Sequence, residues 1–448
     1  MNDSTASPLM SFPAPQIEER FDKHGLTAFG GANLLVDLFD HLGLPQCLER
    51  HLTPKSLWAT YSRTTEVEYL ILKAALGMGR IVETAELKHD PLLAAKLRLK
   101  KLPHPATGYR ALDRFGSRRE VAGLEGVHRE MLHPLLRNCG GAIVDIDNTV
   151  ETVHGRQQGT AVGYNPRYHG RRSYQPFVAF EGQSRALLHA ALRSGKTPNA
   201  REVIRFQAKK QLPEGFPVRF VRGDAHFGTE ALLEELEAEE RRTGHKVAYA
   251  LKLRLNPHLQ SQVFKPLAWR RLASSDEPII EAASVTYQAP RWKRSRRVVF
   301  IRAQRAPGPS FEPAQRLLFE ASAWEYQAIF TSEDWDEEDV WHFYNQRCTA
   351  ENGIKELKEG LGIDSIGKAT FWPNAADLLI KGIAYNLLLR LKVLAPAPYR
   401  HYTATRLQRT LLRVPALLVR HARRLTLRLP ALWVHRPAWE AVRLALST

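Results

Sequence analysis

Apolar residues recur with the period of a helix from Asn33 to Asn138, most clearly from Val67 to Val82 and from Val121 to Leu136, with a Pro-rich break, LPHPAT, before Tyr109. The stretch to about Gln16 is polar and rich in Pro and Ser, a composition that stays disordered. Residues 17–138 are therefore predicted to form an α-helical N-terminal domain. After Gly140 and Gly141 the pattern changes: Ala142 to Ile146 is a short apolar run ending in Asp-Asn-Thr, as a buried strand would. Further strands are predicted at Pro176 to Phe180, Ala186 to Leu192, Pro217 to Val221 and Lys246 to Leu253, with helices at Asn199 to Gln211 and Thr229 to Arg241. The order strand, strand, strand, helix, strand, helix, strand describes an α/β core with a mixed sheet over residues 139–394. From about Asn256 to Ser322 the alternating segments VTYQ, RRVVFIRA and RLLFEA predict a β-rich insertion, residues 256–322. Helical periodicity resumes from Glu337 to Gly360 and from Ala375 to Leu394, and no repeat of solenoid length is visible.

Charge adds a partner to this outline. The formal net charge is +17, and more than half of the excess lies in residues 395–448 and the few before them, where Lys392 and the arginines from Arg400 to Arg443 face Glu440 alone. Clustered cations gain free energy by releasing counterions from phosphates, so a polyanion, by default nucleic acid, is the expected partner. The one-sided charge of Arg420 to Arg428 favours the DNA backbone over a merely solvated helix face. Cys47, Cys139 and Cys348 are an odd number at wide spacing, which suits a reducing cytoplasm better than a disulfide framework or a C-x-x-C zinc site. No basic leader with an apolar core and no apolar run of about 18 residues is present, so a chain neither secreted nor embedded in a membrane is expected.

The most informative window runs from Trp341 to Leu361. Tyr344, Arg347, Glu351 and Lys358 stand at offsets of three, seven and fourteen. At about 100° per residue along a helix they project within an arc of roughly 60°, a single stripe, beside an apolar stripe of Phe343, Ile354, Leu357 and Leu361. Alone, this is equally a ladder of i, i+4 ion pairs on a solvated face. Two upstream acids shift the balance: Asp147 in VDIDNTV and Asp224 in FVRGDAHFG each follow an apolar run. A carboxylate at the end of an interior strand is costly unless compensated, and a divalent cation shared by three carboxylates compensates it.

The run Tyr344-x-x-Arg347-x-x-x-Glu351-x-x-x-x-x-x-Lys358 resembles the Y-(2)-R-(3)-E-(6)-K signature of the DDE transposases of bacterial insertion sequences, with every gap in agreement. Asp147-Asn148-Thr149 matches the family's D-x-T, and Arg222-Gly223-Asp224 its Arg-x-Asp; the similarity covers about Gly140 to Leu394. The resemblance implies an RNase H-like catalytic core with a β-rich insertion, preceded by the helical domain and followed by the basic region. It implies Asp147, Asp224 and Glu351 as catalytic metal ligands for two Mg²⁺ ions, which Mn²⁺ can replace. Tyr344, Arg347, Lys358 and Arg222 become DNA contacts. The implied partners are the double-stranded terminal inverted repeats and target DNA, bound by a homodimer that pairs two ends for cut-and-paste transposition. Asp145 stays open as an alternative first ligand, because two residues apart on a strand means the same face. Trp324 and Trp292 are candidates to stack on a flipped base.

Other readings carry less. His421-x-x-Arg424 is similar to an element of tyrosine recombinases, but no tyrosine nucleophile follows Tyr402. Cys348 with His342, or His154 with His169, lacks paired zinc spacing. PATGYRALDRFG is not a clear helix-turn-helix. A nuclease without strand transfer, or a silent DNA-binding descendant of a transposase, would share fold and charge; the intact acids and the full four-residue spacing favour transposition.

Overall fold

The computed structural model describes residues 17–196, 212–213, 216–263, 265–273, 278–290, 292–304, 324–422 and 424–447. The polar stretch to Gln16, the helix expected at Asn199 to Gln211 and the segment RLLFEA lie outside them.

The chain begins with β1 (Leu26–Thr27), then α1 (Ala32–His41), α2 (Leu44–His51), α3 (Arg63–Ala75), a 3₁₀ turn (Ile81–Leu87), α4 (Pro91–Lys96), α5 (Pro105–Asp113) and α6 (Arg118–Leu136). Local chemistry sets these starts. Ser62, Asp90 and Ser117 accept hydrogen bonds from the backbone N–H groups of Thr65, Leu93 and Glu120, which the first turn would leave unsatisfied. Pro91 and Pro105 open their helices where no N–H is needed.

The main sheet follows. Strand β2 (Ala142–Asn148) pairs antiparallel with β6 (Phe177–Glu181) and parallel with β8 (Val218–Gly223); β6 pairs antiparallel with β7 (Leu187–Ala191), and β8 parallel with β9 (Ala248–Lys252). Between β2 and β6 a small side sheet is made by β3 (Glu151–Thr152), β4 (Ala161–Val162) and β5 (Arg172–Tyr174). Across the main sheet the order β7-β6-β2-β8-β9 is third, second, first, fourth and fifth in the chain, with only the second antiparallel to the first. That is the RNase H-like arrangement. Helix α7 (Glu230–Thr243) crosses over between β8 and β9, and α8 (Pro257–Val263) follows β9.

The β-rich segment is not a separate body. Its strands β10 (Arg270–Arg271), β11 (Ile280–Tyr287) and β12 (Arg296–Gln304), with β13 (Trp324–Thr331), extend the main sheet outward from β9. They make it nine strands wide among the described residues.

Two expectations need correcting. The helix expected from Glu337 to Gly360 is two helices, α9 (Glu337–Asn345) and α10 (Cys348–Leu361), with a turn at Gln346 and Arg347. The single stripe of Tyr344, Arg347, Glu351 and Lys358 is thus split across a bend. The basic segment from Arg420 to Arg428 is no helix face either. It is an exposed hairpin of β14 (Ala416–His421) and β15 (Arg424–Arg428), whose inner strand pairs with β1.

Helix α11 (Phe371–Leu394) is the axle of one core, with Leu378, Ile380, Ile383, Leu387, Leu388 and Leu391 all buried. The N-terminal helices do not keep a core to themselves: their Leu35, Leu70, Leu124 and Val127 join the same cluster as Val178, Phe180 and Leu187 of the sheet. Asn386 welds the parts together. Its side chain both accepts from Leu187 N (2.9 Å) and donates to Leu187 O (2.9 Å), and it meets His128 of α6 at 3.2 Å. A second core lies on the other sheet face, where Val144, Ile146 and Val221 meet Leu132, Phe227 and Leu236. Among the described residues no helix is long and apolar enough to cross a membrane.

Helix α10 rests on the sheet at Gly353, where a Cβ would stand 2.6 Å from the Phe180 ring. Mid-helix glycine costs about 1 kcal/mol against alanine, and here it permits the close approach. Gly353→Leu is expected to lower stability by about 1–3 kcal/mol through overpacking, read as a fall in the urea midpoint; an unchanged midpoint would mean that the helix is not seated this closely.

Candidate active site

Strand alternation divides β2 between two environments. Val144 and Ile146 enter the apolar core, while Asp145 and Asp147 face the bend between α9 and α10. Parallel β8 is cut the same way: Val221 is apolar core, and Arg222 lies against Asp145. The register of the two strands ends at Ile146 opposite Gly223, so one further step sets Asp224 beside Asp147. Two carboxylates meet at neighbouring strand ends because the strands are parallel and start level.

Asp145 and Arg222 form a closed pair, 0 % and 1 % exposed. Arg222 donates Nε to Oδ1 at 2.6 Å and Nη2 to Oδ2 at 2.8 Å, and gives Nη1 to the Phe343 carbonyl at 2.6 Å. Its guanidinium also lies 4.7 Å from the Phe343 ring centre. This corrects the expectation that Arg222 contacts DNA: it is an interior strut between sheet and helix. Asp145, whose two oxygens are engaged by Arg222, is unsuited to be the first metal ligand.

Asp147 keeps one side open. Its Oδ2 accepts from Arg347 Nη1 at 3.0 Å and its Oδ1 from the Asn148 N–H at 2.8 Å. Burial pushes its carboxyl up to about 6, with Arg347 pulling it back and the Asp224 charge adding to the rise. Asp224 resists the same burial through His226, whose backbone N–H donates at 3.0 Å and whose Nδ1 lies 2.8 Å away; the net result is a carboxyl below its ordinary range. Arg347, at the bend, also donates Nη2 to Glu351 at 2.7 Å. Glu351 lies in the first turn of α10 with 62 % of its side chain exposed.

Tyr344 is 5 % exposed and packs with Ala250, Ile329 and Val340. Its ring centre lies 5.9 Å from the Arg347 guanidinium. It braces Arg347 rather than reaching outward. Lys358, one α10 segment further on, is half-buried in the wall of a cleft of about 950 Å³ that also takes in Asp147, Asp224, Glu151, Tyr164 and Arg167. Trp292 packs on Phe330 (4.8 Å between ring centres), and Trp324 lies under Arg302 (4.5 Å); neither lines this cleft.

Hard divalent cations choose oxygen ligands. Two strand-end aspartates and a nearby exposed glutamate are such a donor set. The three acids do not all bring oxygens within 4.8 Å of one another, because the Arg347 guanidinium stands between Asp147 and Glu351. The residue types fit the group, and Arg347 bridges Asp147 and Glu351.

Two residues escaped the sequence reading. His226 was legible two places after Asp224 in DAHFG. Glu151, on β3, is 1 % exposed, lines the cleft, and has no hydrogen-bond partner on either oxygen. Burial drives its carboxyl up to about 8 against the pull of Lys381 and Lys358.

Each of these acids makes a testable statement. Asp145→Ala strands a buried guanidinium and is expected to cost about 3–5 kcal/mol of stability; a loss under about 1 kcal/mol in denaturant would show the pair to be solvated. Because the Glu151 carboxyl is raised on folding, the stability linked to its proton is complete below its unfolded value and is lost as pH climbs to about 8. Glu151→Gln cannot ionise, so its melting temperature relative to the parent should rise steadily across that window. Parallel melting curves would refute the assignment.

The family model described as "Transposase DDE domain group 1" matches residues 11–448. No match is found among curated proteins. Among solved structures the chain is similar to the piggyBac transposase of a synaptic complex with hairpin DNA determined by cryo-EM, at 13% sequence identity and a TM-score of 0.45, over 93% of this chain and 82% of that one. With the family model matched along nearly its whole length, the chain belongs to the Transposase DDE domain group 1 family: it is a DNA transposase, an enzyme of DNA cleavage and strand transfer whose family works with divalent metal ions.

Proposed function

We propose that this transposase cuts at the ends of an insertion sequence and joins them to target DNA by a cut-and-paste route, with Asp147, Asp224 and Glu351 as its metal-holding acids. The observation that carries the reading is the juxtaposition of Asp147 and Asp224 at the ends of two parallel strands, with Glu351 linked to Asp147 through Arg347. In this reading the acids hold two Mg²⁺ ions, or Mn²⁺ in their place, which when bound activate the attacking oxygen and stabilise the leaving one at phosphorus. The chain's own contribution is geometry. The strands fix the two aspartates, and the exposed Glu351 side chain rotates off Arg347 to complete the set.

Freed from Glu351, the Nη2 group of Arg347 can turn to a phosphate beside the reacting strand while Nη1 stays on Asp147. Lys358 serves as a second phosphate contact from the cleft wall. Tyr344 acts on DNA only through Arg347. The basic hairpin of β14 and β15, with its exposed Arg420, Arg424 and Arg428, supplies backbone contacts away from the cut. The N-terminal helices form a further surface for the inverted repeat, and two copies of the chain each hold one end. In this reading the enzyme works in the cytoplasm, on the DNA of the nucleoid.

Asp147→Asn, Asp224→Asn and Glu351→Gln should each reduce cleavage of end-containing DNA in Mg²⁺ by more than the roughly 10- to 100-fold that loss of an outer-shell partner costs. Binding to the same DNA should persist. A Glu351→Gln enzyme that cuts at the parent rate would remove Glu351 from the ligand set.

A further inference from the structure

Far from the three acids, α2 and α6 bring a different set of donors together. Cys47 and His51 stand at i and i+4 on one face of α2, and Glu130 reaches them from α6; the Cys47 Sγ, a His51 ring nitrogen and a Glu130 oxygen all lie within 4.8 Å of one another. Cys47 is fully buried, while 26 % of the His51 side chain and 38 % of Glu130 remain open to solvent. His51 Nε2 lies 2.5 Å from Glu130 Oε1, and Arg50 donates to Glu130 Oε2 at 2.5 Å.

The facing helix is shaped for this contact. A Cβ at Gly126 would stand 2.4 Å from His51 Nδ1, and one at Gly123 would stand 2.4 Å from the His51 carbonyl oxygen. Gly123 and Gly126 are spaced three apart, and Glu130 lies four beyond, on the same side of α6. Glycine is among the poorest helix formers, and here two of them clear the space into which His51 fits.

We propose that Cys47, His51 and Glu130 form a zinc-class metal site, distinct from the three acids, that clamps α2 to α6. A thiolate, an imidazole and a carboxylate are the three ligand types that a borderline-soft, four-coordinate cation accepts, and water completes the fourth position on the open side. Mg²⁺ is not suited to it, because sulfur and nitrogen are poor ligands for a hard ion. On binding, the Cys47 thiol gives its proton to solvent and a sulfur–metal bond replaces the S–H bond. His51 exchanges its contact with Glu130 for the metal, with no change of oxidation state. Thiolate and carboxylate together balance the two positive charges, and Arg50 remains on the second Glu130 oxygen, as an outer-shell partner should.

The test uses the full chain, stripped with a chelator and titrated with Co²⁺ as a spectroscopic stand-in for Zn²⁺. The parent protein should take up one equivalent with a thiolate-to-cobalt charge-transfer band in the near ultraviolet and tetrahedral bands in the visible, undiminished by excess Mg²⁺. Zn²⁺ should displace the Co²⁺ and raise the melting temperature. Cys47→Ser should lose the charge-transfer band. Glu130→Gln, which keeps the helix contact, should bind at least tenfold more weakly and guards against a Cys47→Ser protein that fails to fold. No thiolate band in the parent, or a band that persists in Cys47→Ser and so arises at Cys139 or Cys348, would overturn the proposal.

Discussion

A layer of charge buried beneath a helix must be paired where it lies, and the Asp145–Arg222 pair meets that requirement at the centre of this molecule. Both groups are withdrawn from water, and each would be expensive alone. Because Arg222 also donates to the Phe343 carbonyl, at the end of the helix that carries Tyr344, the pair joins sheet and helix bend in one hydrogen-bonded unit. Arg347 at that bend then lies over Asp147, and Glu351 begins the next helix within its reach. Asp147, Arg347 and Glu351 are thus arranged around a pair that is itself closed off from the cleft.

The same geometry separates what the sequence could disclose from what it could not. Strand ends at Asp147 and Asp224 were legible, because apolar runs of strand length stop at each. The break between α9 and α10 was not, since neither Gly nor Pro stands between Trp341 and Glu351 and the apolar period runs through Gln346 and Arg347 unchanged. Arg222 was misread for a related reason: its position beside Asp224 is local, whereas its true partner is 77 residues away. The preference for Asp147 over Asp145 rested on the D-x-T match alone, because Arg222, which engages Asp145, is distant in sequence.

Elsewhere the obstacle was chemistry rather than distance. The hairpin of β14 and β15 turns through Ala422 at a φ of 51°, a conformation usually announced by Gly, Asn or Asp. With no such signal, the arginines drew the reading toward charge and away from the alternation of LTLRL. The β-rich segment was recognised as strands, but nothing local says that β13 returns to pair with β9 and so fuses that segment to the main sheet. Glu151 was passed over because an isolated glutamate near a turn is ordinary until its burial is known.

The pairing of β1 with β14 ties Leu26 and Thr27 to the hairpin at Ala416 and Leu417, and Arg443 of α12 (Arg436–Ser447) adds an ion pair with Asp37 of α1. Residues some 400 apart in sequence thus belong to one folding unit. Deleting the basic tail to ask what it binds would also uncover the edge of the N-terminal helices, so a shortened chain would change in charge and in folding at once. Charge-reversing substitutions on the outward face of β15 leave that closure intact, and they are the cleaner way to separate holding the chain together from holding DNA.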